Sequence, residues 1–451
     1  MHVLVLSHSG AQDHLGGSDL SLLSLLDHWQ SQDSQLTVTL VSPSQGSAVA
    51  REARARDFTV ETVSYEGWVR VVGPTDEADE PLRQHRGYYA TQALVALLQR
   101  NPPNLVVTST VVAPWAAFAA ALVGIPHVWF VRESLQHARS VETTFGVEGT
   151  LRAIGELSVL VVANSRTLAA ELSEHIPSEK LIYHYPTIDL DQLAQFAQER
   201  PRPATRASAG ELAIVVVGRI SRSKGQWRVV EALGLLRERG VKASATFVGL
   251  SVEPGANHLL TRRAKSLGVA DAVTFVGEQY NPFPYVVAAD VSVNPSDFES
   301  FGRTTVESMA LGVPVIALAR GAALELIVDG ESGLHVDPDD VSELADRLEQ
   351  LAREPQARER IAAAGRARAV ELMESAQPQP LIDALVAASK ARVVPRLQAD
   401  LQWLSEPELL GPVEVRKLRA VSRLRRGRRR LGTLLRDPVG VLRRRWLRSR
   451  S

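Results

Sequence analysis

The chain has 451 residues, 45% apolar and 23% charged, with 51 basic residues against 51 acidic ones. That balance excludes a disordered, collagen-like or fibrous protein, and the length predicts two or three domains. There is no cysteine, which excludes disulfides, thiolate metal sites and cysteine nucleophiles.

The start, Met1-His2-Val3-Leu4-Val5-Leu6, has no basic region and no cleavage pattern, so no signal peptide is expected. Val3–Leu6 reads as a strand and leads into a polar loop ending at Gly16-Gly17. Leu20, Leu23 and Leu26 follow at helical spacing, with Ser18 or Asp19 as cap. Further on, Leu36–Val41 reads as a strand, Ala48–Arg56 as a helix, Leu105–Thr108 as a strand, Trp115–Leu122 as a helix and His127–Val131 as a strand. Leu157–Ala163 is expected to be a strand, and Arg166–Glu174 a helix capped by Ser165. The longest apolar stretch, Leu105 to Val131, is divided by Pro114 and Pro126, so it is not a membrane span. A soluble, cytoplasmic protein is expected.

Residues 199–210 contain Pro201 and Pro203, lack an apolar period and read as a linker. The alternation then restarts. Ala213–Val217, Ala245–Val248, Val273–Val276, Val291–Val293, Val313–Ala317 and Gly333–Val336 read as strands, mostly with helices between them. Asp339–Ala352, Gln356–Glu374 and Leu381–Arg392 read as helices. The expected organisation is a Rossmann-like domain over 1–198, a linker, and a second over 211–375. A helix over 376–395 packs back toward the first domain, and 396–451 form a tail. Strand–helix alternation implies parallel sheets, and ligands of such sheets sit beyond the strand carboxyl ends.

Three loops carry candidate chemistry. Gly16-Gly17 opens a helix, where an anion is favoured, although a plain tight turn explains the pair equally well. Gly218-Arg219-Ile220-Ser221-Arg222-Ser223-Lys224-Gly225 leaves a strand with two cations suited to a diphosphate. It is not a Walker loop, and a solvated surface turn is the bland reading. The third runs Glu299-Ser300-Phe301-Gly302-Arg303-Thr304-Thr305-Val306-Glu307-Ser308-Met309-Ala310-Leu311-Gly312-Val313-Pro314-Val315. A helix from about Arg303 to Leu311 would place Glu299 in the loop and Glu307 one turn in, facing one cleft, with the Phe301 and Gly302 N–H groups at the helix start.

The third string, with its Glu-x7-Glu pair, closely resembles the donor-site motif of family-4 retaining glycosyltransferases of the GT-B fold. Gly218–Gly225 resembles that family's Gly-Arg…Lys-Gly loop and Gly16-Gly17 its N-terminal glycine loop. The resemblance spans about residues 1–375 and implies two Rossmann-like domains facing a cleft, the first on the acceptor side. It implies a nucleotide-sugar donor, with Arg219 and Lys224 on the diphosphate, Glu307 on the ribose and Glu299 on the transferred sugar. Backbone N–H groups of Gly17, Phe301 and Gly302 would complete the cradle, with Gly16 beside them. Fixed cations would stabilise the charge on the leaving diphosphate. Where the family often has His-Asp after the strand ending at Val131, this chain has Arg132-Glu133, read as an acceptor-side pair or a structural ion pair. Glu325 stands where the family has an acid in a Gly-Gly-x-x-Glu-like turn.

Asp189-Leu190-Asp191 has the form of a metal motif, but Asp before a helix is an ordinary cap, as at Asp337–Asp340. No metal or other cofactor is expected. His8 and His14 are acceptor-side candidates, and His127 reads as packed. From Arg416 onward there are 15 basic residues and one acid. Subtracting these from 51 and 51 leaves 36 basic and 50 acidic residues in 1–415: a body of net −14 and a tail of net +14. Leucines at three-to-four spacing among arginines, with Trp446, suit an anionic membrane surface. A single aromatic gives nucleic acid little to stack on. A solubilising tail or docking on the acidic body remain open readings of that segment.

The function these features imply is a retaining, metal-independent glycosyltransferase, peripheral on the inner membrane face. It would act on a glycan or lipid-linked acceptor in polysaccharide or glycolipid biosynthesis. A nucleotide-sugar epimerase of the same fold and a silent donor-binding scaffold subunit are the alternatives.

Overall fold

The computed structural model describes residues 1–7, 10–11, 15–71, 79–137, 141–199, 210–253 and 255–393. His8, His14, most of the expected linker and the basic tail lie outside these residues.

In chain order the first half contains β1 (His2–Leu6), α1 (Gly17–Gln32), β2 (Thr37–Ser42), α2 (Ala48–Ala55), β3 (Thr59–Thr62), β4 (Val69–Val71), α3 (Asp79–Arg100), β5 (Leu105–Thr108), α4 (Trp115–Val123), β6 (His127–Val131), β7 (Val141–Thr143), α5 (Gly146–Leu157), β8 (Leu160–Ala163), α6 (Arg166–Leu172), β9 (Leu181–Tyr183) and α7 (Leu190–Ala197). The second half contains β10 (Leu212–Val217), α8 (Gln226–Glu238), β11 (Ala243–Val248), α9 (Ala256–Ser266), β12 (Val273–Gly277), α10 (Phe283–Val287), β13 (Val291–Asn294), α11 (Arg303–Ala310), β14 (Val315–Leu318), α12 (Ala323–Leu326), β15 (Leu334–Val336), α13 (Val341–Arg353), α14 (Pro355–Ser375) and α15 (Pro378–Ala388).

Among the described residues, the first sheet has seven strands in the order β3-β2-β1-β5-β6-β8-β9 and the second six in the order β12-β11-β10-β13-β14-β15. Every pairing within both sheets is parallel. β4 and β7 form a separate antiparallel pair. Strand side chains divide between two cores by their period of two. In β1, Leu4 and Leu6 join one cluster while Val3 and Val5 join the other. In β10, Leu212, Ile214 and Val216 face one side and Val215 the other. Sheets covered on both faces need such near-continuous apolar strands, and each fully buried Val, Leu or Ile contributes about 1.5–3 kcal/mol.

Several element ends shift by a residue or two from the sequence reading, and two elements differ more. The segment Leu157–Ala163 divides between the end of α5 and β8, because Leu157 completes the buried face of an amphipathic helix. The proline at 378, expected to interrupt, instead opens α15 from its first turn, where a missing N–H costs nothing. The chain also leaves the first domain's packing before residue 198: Tyr185, Ile188 and Leu193 are buried with Phe301, Val306 and Met309 of the second domain. α15 returns, placing Leu381, Ile382 and Leu385 in the core with Val3 and Val5. Two crossings therefore tie the domains together.

Candidate functional site

The loops after β10 and β13 are built as one unit. The phosphate-loop candidate turns through Gly225 at φ +68°, and a Cβ there would lie 1.9 Å from the Pro295 carbonyl oxygen. Only glycine permits that approach. The Asp297 N–H donates to the Ser223 carbonyl at 2.8 Å. Arg228, buried on α8, donates to the Pro295 carbonyl at 3.2 Å and the Pro338 carbonyl at 3.1 Å, and pairs with Asp297 at 2.8 Å. This places the Lys224 ammonium 2.5 Å from the Glu299 carboxylate, which also accepts from the Ser296 hydroxyl at 2.7 Å. Arg219 is exposed at the rim, its carbonyl held by Gln226 at 2.9 Å.

Glu307 sits on the second turn of α11, 7% exposed, with Arg303 donating to it from the preceding turn at 2.7 Å. Burial raises its carboxyl above the ordinary value, and the Arg303 charge opposes this. α11 is entered through Gly302 at φ +84°, with Phe301 buried just before it. The Glu299 backbone is pinned from behind by the Ala322 N–H at 2.9 Å and by Gly321, whose Cβ would lie 2.5 Å from the Glu299 carbonyl oxygen.

The first domain meets this surface at the carboxyl ends of its own strands. Asp19 accepts from the Ser7 hydroxyl at 3.0 Å and from the Gly16 N–H at 3.2 Å. Gly16 therefore spends its N–H inside the loop, while Gly17 faces Arg303: a Cβ there would lie 3.3 Å from the Arg303 Cδ. Arg303 also donates to the Ser21 hydroxyl at 3.2 Å. Arg132 does not pair directly with Glu133. It turns to the start of α1 and donates to the Ser18 carbonyl, and burial lowers its pKa to about 10 against the opposing charges of Glu133 and Asp19. One oxygen of Glu133 is buried without a hydrogen-bond partner. The Ser134 N–H donates to the Ser300 hydroxyl at 3.1 Å, and His137 stacks on Phe298 at 4.0 Å. His127 is a core residue bonded to Thr108 at 2.8 Å and Ser158 at 3.2 Å, its pKa lowered to about 3 by burial.

Among the described residues no group of three His, Asp or Glu side chains could hold a metal ion. Asp189 caps α7 by accepting from the Gln192 N–H at 2.9 Å, and Asp340 caps α13.

Two family models match the chain in succession. That of Glycosyltransferase Family 4 matches residues 15–192 and that of Glycosyl transferases group 1 residues 197–368. The chain belongs to the family-4 glycosyltransferases. A D-inositol 3-phosphate glycosyltransferase of Nocardiopsis dassonvillei is 32% identical over 52% of this chain and 57% of its own length. A GDP-mannose-dependent phosphatidylinositol monomannoside mannosyltransferase of Mycolicibacterium smegmatis is 33% identical over 48% of this chain and 59% of its own. The matches thus span little more than half of these relatives. Among solved structures, HepE of Anabaena with UDP and glucose superposes with a TM-score of 0.68 at 21% identity, over 86% of this chain and 100% of that one. Sucrose-phosphate synthase of Thermosynechococcus elongatus gives 0.64 at 20%, over 86% and 100%. These share the GT-B fold.

In this family-4 chain the structure brings together Gly17, Lys224, Glu299, Phe301, Gly302 and Glu307, with Arg219 at the rim. Sequence reasoning passed over Arg228, Ser296, Ser300 and Arg303 as site-building residues. Only Arg303 had a local signal, its four-residue spacing from Glu307 on a helix.

Proposed function

We propose that this family-4 glycosyltransferase moves a glycosyl group from a nucleotide sugar to a hydroxyl of a glycan or lipid-linked acceptor, with retention of anomeric configuration. The acceptor oxygen bonds to the anomeric carbon, its proton is released, and the nucleoside diphosphate leaves with the electrons of the broken C–O bond. Lys224 and Arg219 bind the departing diphosphate, Glu307 the ribose hydroxyls and Glu299 the hydroxyls of the sugar. The observation that supports this reading most is the Lys224–Glu299 contact of 2.5 Å, since the cation proposed for the phosphate and the carboxylate proposed for the sugar would need to be neighbours. Because Glu299 is held by Lys224 and Ser296, it suits hydroxyl binding better than attack on carbon. No metal is invoked, since Lys224 and Arg219 supply the positive charge. The relatives whose names include inositol phosphates support an acceptor that carries phosphate.

No described helix is long and apolar enough to cross a membrane. The basic tail, outside the described residues, would hold the enzyme on an anionic inner membrane face, in polysaccharide or glycolipid synthesis. The test is a panel of UDP- and GDP-sugars with purified protein, with NMR assignment of the product anomer. Removal of one charge-stabilising group typically costs about 2.7–4 kcal/mol of barrier, so Lys224→Ala should lower transfer about a hundredfold or more; Glu307→Ala, which removes hydrogen bonds to a charged group worth about 1.5–3 kcal/mol, should lower it about tenfold or more. Failure to bind any nucleotide sugar at millimolar concentration, or unchanged transfer by Glu307→Ala, refutes the reading.

A further inference from the structure

Glu325 lies on the one-turn helix α12, outside the donor loops, yet its carboxylate receives three hydrogen bonds. Oε2 accepts from the Arg166 N–H at 3.0 Å and the Tyr185 hydroxyl at 2.7 Å, and Oε1 accepts from the Thr167 N–H at 3.0 Å. Arg166 and Thr167 open α6 of the first domain, and Tyr185 lies on the crossover. Glu325 belongs to the second domain, so the contact joins the two. Free N–H groups at a helix start and an ionised acceptor form a strong pairing.

The mount of this carboxylate is rigid. From α14, Arg368 donates to the Glu325 carbonyl at 2.9 Å and the Leu326 carbonyl at 3.2 Å. Three residues ahead, the Ala322 N–H holds the Glu299 carbonyl at 2.9 Å, and Gly321 packs on the same backbone. Tyr185, the third donor, lies 5.6 Å ring to ring from Phe301. One short element thus grips the first domain with a side chain and the Glu299 loop with its backbone. The Ser134–Ser300 and His137–Phe298 contacts cross between the same loop and the first domain.

We propose that Glu325 is a positioning residue for glycosyl transfer: it fastens the two domains in the arrangement that holds the Glu299 loop against the acceptor-side domain. The proposal rests on the transfer reading above. The donor contacts proposed for Lys224, Glu299 and Glu307 all lie on the second domain and would survive loss of the fastening, with only the Gly17 N–H coming from the first. Transfer would not, because the acceptor approaches from the first domain and a reacting pair tolerates little misplacement.

The test pairs kinetics with a distance measurement in the full chain. Because the protein has no cysteine, Gln32→Cys and Arg262→Cys at exposed positions on either domain give two clean spin-label sites. In Glu325→Ala, nucleotide-diphosphate affinity should stay within about threefold while kcat falls about tenfold or more, since misplacing the reacting groups by about 1 Å can cost about a hundredfold. The interdomain distance should broaden toward longer values. Glu325→Gln, which keeps an accepting oxygen, should recover part of both effects, and Tyr185→Phe should show a smaller loss in the same direction. A general folding defect would lower nucleotide affinity along with kcat. An unchanged distance distribution, an unchanged kcat, or equal loss of affinity and kcat overturns the proposal. Should the wild-type chain transfer no sugar at all, the functional reading falls, while the distance arm still decides whether Glu325 fastens the domains.

Discussion

Substituting Gly225 by alanine tests whether the loops after β10 and β13 are one unit. The residue sits at φ +68°, and the new Cβ would lie 1.9 Å from the Pro295 carbonyl oxygen and 2.7 Å from the Arg228 Nη1. An ordinary carbon–oxygen contact is about 3.3 Å, so one loop must retreat by about 1.4 Å. That movement breaks the Arg228–Pro295 bond, and a hydrogen bond to a charged group is worth about 1.5–3 kcal/mol. The left-handed backbone costs an L-residue roughly 1–2 kcal/mol more. The expected loss is about 2.5–5 kcal/mol, a large fraction of a typical domain's stability. Gly240 provides the control: it has φ +72° with nothing within 4 Å of its Cβ. Gly240→Ala should lose only the backbone share, roughly 1–2 kcal/mol. Urea unfolding followed by circular dichroism compares the two, and calorimetric titration with UDP and GDP follows the site. Lys224 should lose its register with Glu299 in Gly225→Ala alone, weakening nucleotide binding there. Equal stability losses for both variants, or wild-type nucleotide affinity in Gly225→Ala, would refute the knitting of the loops.

Glu307→Gln probes the buried carboxylate by pH. Its folded-state pKa is raised by burial, so its contribution to stability is complete below the ordinary carboxylate range and is lost as pH climbs through the raised value. The wild type should therefore lose more stability than Glu307→Gln between acid and neutral pH, read from urea midpoints; the opposite slope would refute the burial argument. Asp189→Ala should cost about 1 kcal/mol as a lost cap and leave activity insensitive to chelator, whereas a metal role would make chelator inhibit the wild type. Deleting 416–451 should abolish binding to anionic vesicles, and the intact chain should detach as salt rises, because surface attraction is screened. Vesicle binding that survives the deletion would reject the tail reading.

What the sequence made legible was contiguous. The β-branched runs of β10 and β13, the Gly218–Gly225 loop and the Glu-x7-Glu string each declare themselves within a few residues. α3 and α5 did not, because both carry glycines where partners crowd in. A Cβ on Gly87 would lie 2.3 Å from the Trp115 ring, and one on Gly155 would lie 3.3 Å from Ile176. Such glycines lower helix propensity for a reason set by a distant residue. Arg228 had the same disadvantage. In the sequence it is one more cation on an amphipathic helix, and its partners Asp297 and the carbonyls of Pro295 and Pro338 come from elements that only the sheet order brings together. Glu325 was visible as an acid in a turn, but its three donors lie 140 to 159 residues away.

The balance of charges acquires a local meaning at the cleft. Lys224 is held by Glu299, Arg303 by Glu307 and Arg228 by Asp297, so most cations of the site are already neutralised. Arg219 is exposed and has no carboxylate partner among the described residues. On the proposed reading, an arriving diphosphate would pair with Arg219 without displacing a carboxylate but would share Lys224 with Glu299. The sugar hydroxyls would then offer Glu299 donors in place of what it cedes, whereas a diphosphate lacking its sugar would not. That exchange would tie recognition of the phosphate to recognition of the sugar, and the leaving group's growing charge would draw Lys224 further from Glu299 as the bond to the sugar breaks.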